Sequence, residues 1–261
     1  MQRVFEAPPR TAQVTCQAEP WTWFGTLSEA ARVPNFAMPV ADYMSRPVLS
    51  IGSDSGLVEA EALLRREKIS ALPVLDDGRP VGMLTRSDLL RVGRREAGMR
   101  REAALLTVPD RRIADLMKTG VITVSPETSV AQASALMVKN RVHRVIVVQE
   151  DQAVGVFSTR DAMMAIRDKR VTVPLHAYMT TPVFTIRSSE PISLATDRLA
   201  KAHVSGLVVL EDSWPVGVFT QVEALEAKDL ESATPVEMAM SPRFLSLGAD
   251  TRLFRAADQA L

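Results

Sequence analysis

The apolar positions of this chain recur in one order three times. A short apolar run comes first, at residues 48–51, 121–124 and 183–186, followed by a polar turn such as Ser53-Asp54-Ser55 or Ser125-Pro126-Glu127. An apolar column at i, i+3, i+7 then predicts a helix. Its members are Leu57, Ala60 and Leu64 in the first unit, Val130, Ala133 and Met137 in the second, and Ile192, Ala195 and Leu199 in the third. Two more apolar runs with a turn between them read as a hairpin: 71–75 with 81–84, 145–148 with 153–157, and 207–210 with 216–219. A second helix closes each unit. The pattern predicts an α/β protein of strand–helix–strand–strand–helix repeats.

The register of these units is strict. Met44, Met117 and Met179 precede the first runs, and 38 positions further on stand Gly82, Gly155 and Gly217. A fourth start follows Met240, with an apolar run at 244–247 and a column of Leu253, Ala256 and Ala260, so this unit reaches only its first helix. The alanine shared by all four columns implies close helix-to-sheet approach; the plainer alternative is alanine's helix propensity. A unit of about 55–60 residues is marginal alone. Units one and two are therefore expected to pair into one globule.

The expected divisions are an N-terminal extension at 1–39, a first repeat at 40–96, a basic linker at 97–112, further repeats at 113–170 and 171–230, and a partial fourth at 231–261. The extension carries Trp21, Trp23 and Phe24 among scattered prolines, which exclude one long helix. Its aromatics are expected to pack on the first repeats or on a sister chain; the alternative is a free partner-binding tail. The linker, with Arg94-Arg95 and Arg100-Arg101, reads as a solvated helical crossover, or else as a patch for an acidic partner.

Composition narrows the function. Lys+Arg and Asp+Glu both number 31, and this balance argues against a broad nucleic-acid surface. Cys16 is the only cysteine, so a disulfide framework within the chain is excluded. Arg3 is followed by no apolar signal region, and no run approaches the roughly 18–20 residues of a membrane span. A reduced, cytoplasmic setting is expected. His176 and His203 lack partners at metal-ligand spacing, and no Ser/His/Asp or paired-carboxylate arrangement stands out. Neither a metal, an obligate cofactor nor a catalytic activity is expected.

The chemistry concentrates where each hairpin meets its closing helix. The stretches are Gly82-Met83-Leu84-Thr85-Arg86-Ser87-Asp88, Gly155-Val156-Phe157-Ser158-Thr159-Arg160-Asp161 and Gly217-Val218-Phe219-Thr220-Gln221-Val222-Glu223. A hydroxyl three residues before an acid can close a capping box. It can equally offer a hydroxyl, free amides and a carboxylate to a phosphorylated sugar.

The methionine starts, the equal spacing and the Gly-apolar-apolar-Thr/Ser-x-x-Asp ends together resemble the CBS-domain family, named after cystathionine β-synthase. The resemblance covers residues 40–261. It implies CBS-type β-α-β-β-α repeats paired in tandem, as in a Bateman module, with three full repeats and a partial fourth. It further implies a regulatory sensor that binds AMP, ADP or ATP, with S-adenosylmethionine as a second choice, and signals to a protein partner. The alternative is an oligomerising interaction module that binds no ligand. On this resemblance Asp88 and Asp161 take the ribose, Thr85 and Ser158 contact ribose or phosphate, and Arg86 and Arg160 meet phosphate. His143 and Arg144 face the phosphate of the neighbouring repeat's site, beside Thr85 and Asp88. Val48 and Val121 line the adenine face. A homodimer or larger assembly is expected.

Overall fold

The computed structural model describes residues 35–99 and 108–261. Residues 1–34, which hold Trp21, Trp23 and Phe24, and residues 100–107 of the linker lie outside the described residues.

In the first repeat, helix α1 (Leu57–Arg66) leads to a hairpin of β1 (Ala71–Asp76) and β2 (Arg79–Thr85), closed by α2 (Arg86–Met99). The second repeat consists of β3 (Thr123–Val124), α3 (Val130–Lys139), β4 (Arg144–Gln149), β5 (Gln152–Ser158) and α4 (Thr159–Asp168). The third consists of β6 (Thr185–Arg187), α5 (Ile192–Ala202), β7 (Gly206–Glu211), β8 (Trp214–Thr220) and α6 (Gln221–Glu226). The fourth start contributes α7 (Leu253–Ala260). The three hairpins share one design. Each turns on two residues of positive φ, Asp77-Gly78, Glu150-Asp151 and Asp212-Ser213. Such turns match the right-handed twist of the flanking strands. Each hairpin also slips register at the same place, between Val74 and Leu75, Val147 and Val148, and Val209 and Leu210.

The helical columns of the three full repeats are buried as the periodicity predicts, with Ala60, Ala133 and Ala195 fully enclosed. In α7 the column differs: Ala256 and its neighbour Ala257 are buried while Ala260 is exposed. The first strands are shorter than expected. Only Ile51 pairs in repeat one, in a parallel bridge to Val74, and residues 244–247 form no strand. In repeats one and two the residues ahead of the pairing point bridge to the other repeat, Ser45 to Val156 and Lys118 to Met83.

That crossing is how the small units are completed. Before each repeat lies one 3-10 turn, and it bonds to the other member of its pair. Val40 donates to Thr128 O at 2.8 Å and Ser45 to Val156 O at 2.9 Å, so the first lead-in lies on repeat two. Ile113 donates to Ser55 O at 2.9 Å and Met83 to Lys118 O at 2.9 Å, so the second lies on repeat one. Val40 and Ile113 are fully buried in the partner repeats' cores. Repeats three and four exchange lead-ins alike, through Val236 N to Glu190 O at 2.9 Å and Leu253 N to Val173 O at 2.8 Å. The spaced methionines and glycines meet here. Met44 sits against Gly155, Met117 against Gly82 and Met240 against Gly217, each in the space a side chain on the glycine would fill.

Repeats one and two thus interlock, and their hairpins touch along β2 and β5. Within this paired globule the buried apolar residues fall into two clusters. Repeat two keeps its own cluster, whereas repeat one's is continuous with that of repeat three. The cause is the packing of α2 on α6, where Leu89, Leu90, Ala224 and Leu225 join one buried cluster. In parallel, α7 packs on α4. No helix among the described residues is long and apolar enough to cross a membrane.

Candidate functional site

Each hairpin delivers a hydroxyl to the start of the following helix, and each hydroxyl is held by the acid three residues on. The Thr85 amide donates to Asp88 Oδ2 at 3.0 Å, and the Thr85 hydroxyl donates to the same oxygen. Ser158 does the same to Asp161 Oδ2, at 2.6 Å from its amide and 2.7 Å from its hydroxyl. Thr220 and Glu223 repeat the arrangement at α6. The capping reading of these pairs therefore holds in all three repeats, and one carboxylate oxygen is committed to it.

The second oxygen looks toward the crossed lead-in. Asp88 Oδ1 meets Lys118 Nζ at 3.4 Å and Arg91 Nη2 at 3.1 Å. Asp161 Oδ1 accepts from the Ser45 hydroxyl at 3.4 Å. Lys118 follows Met117 and Ser45 follows Met44, so the two contacts are equivalent. Both aspartates are buried. Two equivalent side-chain clusters result: Thr85 and Asp88 with Lys118, and Ser158 and Asp161 with Ser45. Val121 and Val48, each three residues past the crossing residue, are half-buried. Lys118 and Ser45 are absent from the residues singled out in the sequence. The signal for them is the position directly after each repeat's methionine.

Arg144 crosses from repeat two to repeat one. Its Nη2 donates to the Ser70 hydroxyl at 2.5 Å and its Nη1 to Ala71 O at 3.4 Å. Ser70 and Ala71 stand in repeat one where His143 and Arg144 stand in repeat two, so the contact joins equivalent points near the local two-fold axis. Ala71 is the ladder partner of Thr85, which sets Arg144 beside the Thr85 strand rather than on Asp88 itself. Burial pushes the Arg144 guanidinium below its ordinary pKa; nearby Asp161 acts against this and Arg86 adds to it. No carboxylate among the described residues lies within ion-pair distance of Arg144. The His143 side chain is exposed.

Arg86 and Arg160 are placed differently from the phosphate role expected of them. Arg86 is buried at the seam with repeat three, where its Nη2 donates to Leu64 O at 3.2 Å and Glu223 and Glu226 act on it. Arg160 is exposed and donates to the main-chain oxygen of Leu261 at 2.7 Å. The reason is positional: both residues lie in the first turn of helices, α2 and α4, that pack on α6 and α7. Among the described residues no group of three His, Cys, Asp or Glu side chains is arranged to hold a metal.

The CBS domain model matches residues 40–95, 113–168 and 175–229, well over half of the chain. The chain belongs to the CBS-domain family. Similar to it is the CBS domain-containing protein YhcV of Bacillus subtilis, 26% identical over 127 residues, which are 47% of this chain and 81% of that protein. Protein MJ1426 of Methanocaldococcus jannaschii is 26% identical over 170 residues, 54% of this chain and 98% of its own length. Among solved structures, protein MJ1225 of the same organism superposes with a TM-score of 0.71 at 17% identity, over 85% of this chain and 88% of that one. That likeness extends the fold beyond a single CBS pair to the arrangement of successive repeats.

Proposed function

We propose that this chain is a non-catalytic sensor that holds AMP, ADP or ATP in the cleft between CBS repeats one and two and signals occupancy to a partner protein. Arg144 carries the reading. A half-buried guanidinium without a carboxylate partner is poorly compensated, and a phosphate is the anion that compensates it. Asp88 and Asp161 each keep one oxygen turned to the crossed lead-in, and a ribose diol takes that position by displacing Lys118 or Ser45. Thr85 and Ser158 stand beside it, Val48 and Val121 flank the base, and His143 lies at the outer edge. Arg86 and Arg160 take no part. S-adenosylmethionine ranks second, because its sulfonium would face Arg144. The protein is placed in the cytoplasm as a homodimer or larger assembly.

One observation favours the alternative, a ligand-free interaction module: both oxygens of Asp88 already have partners within the chain. Calorimetric titration of the full chain with AMP, ADP, ATP, adenosine and S-adenosylmethionine separates the two. On the sensor reading Asp88→Ala weakens every adenosine ligand by roughly 10- to 150-fold, the range for hydrogen bonds to a charged group. Arg144→Ala weakens the nucleotides and spares adenosine. No binding of any of these ligands at millimolar concentration leaves the interaction module.

A further inference from the structure

The exposed apolar side chains of the described residues are unevenly placed. Twelve large ones are exposed; Leu49, Val58 and Val138 belong to repeats one and two, and the other nine lie between Tyr178 and Leu245. Six of those nine are Tyr, Trp, Phe or Met, the types enriched at the centre of protein interfaces. Repeats one and two show how such a face is covered. Along β4, Val145 and Val147 enter the core while Ile146 points the opposite way, and Ile146 is fully buried although it joins neither apolar cluster. Its equivalent in β1, Pro73, is buried too. The two hairpins meet here: β2 touches β5, the Ala153 amide donates to Gly78 O at 3.0 Å, and Gln152 lies in the space a side chain on Gly78 would fill.

In repeat three the equivalent of Ile146 is Val208, and it is only half-buried. Pro215 is exposed where Pro80 and Ala153 are half-buried, and Trp214, which stands where Gln152 does in repeat two, is 76% exposed. The depression beside them, lined by Val183, Phe184 and Val218 among others, contains no charged side chain. An uncharged face can meet its own copy across a two-fold axis, where like charges would be set against each other. The acidic tip Glu211-Asp212 is no obstacle, because Asp76-Asp77 and Glu150-Asp151 hold the same positions in the pair formed within the chain. We infer that the hairpin of β7 and β8 is an isologous docking surface for the same hairpin of a second copy, in the arrangement that β2 and β5 adopt within the chain. Pro215 has no amide hydrogen to repeat the bond made by Ala153, and Trp214 packs over the turn of the second copy instead. The inference deepens the proposed assembly by naming its face. It does not depend on nucleotide binding, so ligand titration and oligomeric state fail separately.

The test uses the full chain with its only cysteine, Cys16, replaced by serine. Ser213→Cys in that background is expected to give a covalent dimer with a short bismaleimide, because Ser213 stands where Gly78 meets repeat two. Val138→Cys, on the exposed side of α3, is expected to stay uncrosslinked under the same conditions. Trp214→Lys sets a charge beside the axis without touching the core. It is expected to weaken association by roughly tenfold or more in sedimentation velocity, with a circular dichroism spectrum that matches wild type. A wild-type chain that stays monomeric across the micromolar range overturns the inference. So does crosslinking through Val138→Cys with none through Ser213→Cys, or a dimer as tight with Trp214→Lys as without it.

Discussion

Lys118 of repeat two reaches into repeat one and sets its ammonium 3.4 Å from Oδ1 of Asp88. The equivalent residue of repeat one, Ser45, makes the equivalent contact to Asp161 with a neutral hydroxyl. The two sites of one CBS pair therefore differ in charge at this crossing, and Asp88 Oδ1 has a second cation, Arg91 at 3.1 Å, where Asp161 has Met164 at the equivalent position. Any ligand that uses Asp88 must first displace a cation, and that cation is then free to meet phosphate. Lys118→Met should thus raise affinity for adenosine by about 2- to 5-fold, the modest worth of a pair whose cation is largely in water, and lower affinity for ATP. Calorimetry with both ligands checks this; a change of the same sign and size for both would count against it.

Much of this architecture is legible in the sequence because it rests on local periodicity. The columns through Ala60, Ala133 and Ala195 follow the helical repeat, and the hairpins follow from apolar runs broken by Asp77-Gly78 and its counterparts. The exchange of lead-ins is not legible. A constant spacing of 38 from Met44 to Gly82 and from Met117 to Gly155 is the same whether a methionine packs within its own repeat or on its partner. Only the structure shows Met44 on Gly155 and Met117 on Gly82. The same ambiguity hid Lys118 and Ser45, whose roles depend on the crossing. Arg86 and Arg160 misled for a related reason. They occupy similar loops in sequence, but nothing local says that α2 and α4 turn them toward repeats three and four.

The methionine–glycine contacts predict an order of tolerance. An added Cβ at Gly155 would lie 2.3 Å from Sδ of Met44, the far end of a flexible side chain. At Gly82 it would also approach the Lys118 carbonyl at 3.3 Å, and at Gly217 it would meet the Ser241 carbonyl at 2.6 Å. Main chain yields less readily than a thioether. Substitution by alanine should therefore destabilise least at Gly155 and most at Gly217, within about 1–3 kcal/mol for overpacking. Denaturant unfolding of the three variants gives the order, and a larger loss at Gly155 than at Gly217 would refute the argument.

Acid should weaken repeat three through Glu190. Burial alone would raise its carboxyl pKa, but the Arg187 amide at 2.8 Å and two bonds from Arg198, at 2.8 and 3.0 Å, hold it below the ordinary value. A depressed folded pKa means the contribution is complete above the unfolded value of about 4.3 and is lost as pH falls through the folded one. Glu190→Gln should be less stable than wild type at pH 7 by about 0.5–1 kcal/mol, as befits a partly exposed pair. The two melting curves should converge as the pH is lowered toward 3. A constant gap from pH 7 to 3 would assign the loss to something other than ionisation.

Repeat three presents a surface that its counterparts in repeats one and two cover with each other's hairpins. Along β7 and β8 an open depression of about 330 Å³ is lined by Val183, Phe184, Leu207, Val208 and Val218. Val183 is 60% exposed and Phe184 45%, with Met179 beside them at 53%. Apolar surface of this kind, gathered on one face, is characteristic of an association site. The chain should therefore be a dimer or larger at micromolar concentration by light scattering and sedimentation velocity. Replacing Val183 and Phe184 together by serine should shift it toward monomer. The melting temperature of the isolated subunit should change little, because both side chains are already in water there and surface substitutions usually stay within about 0.5 kcal/mol. A wild-type chain that stays monomeric across the micromolar range would remove the assembly from the proposal. An unchanged dimer in the double variant would place its interface on another face.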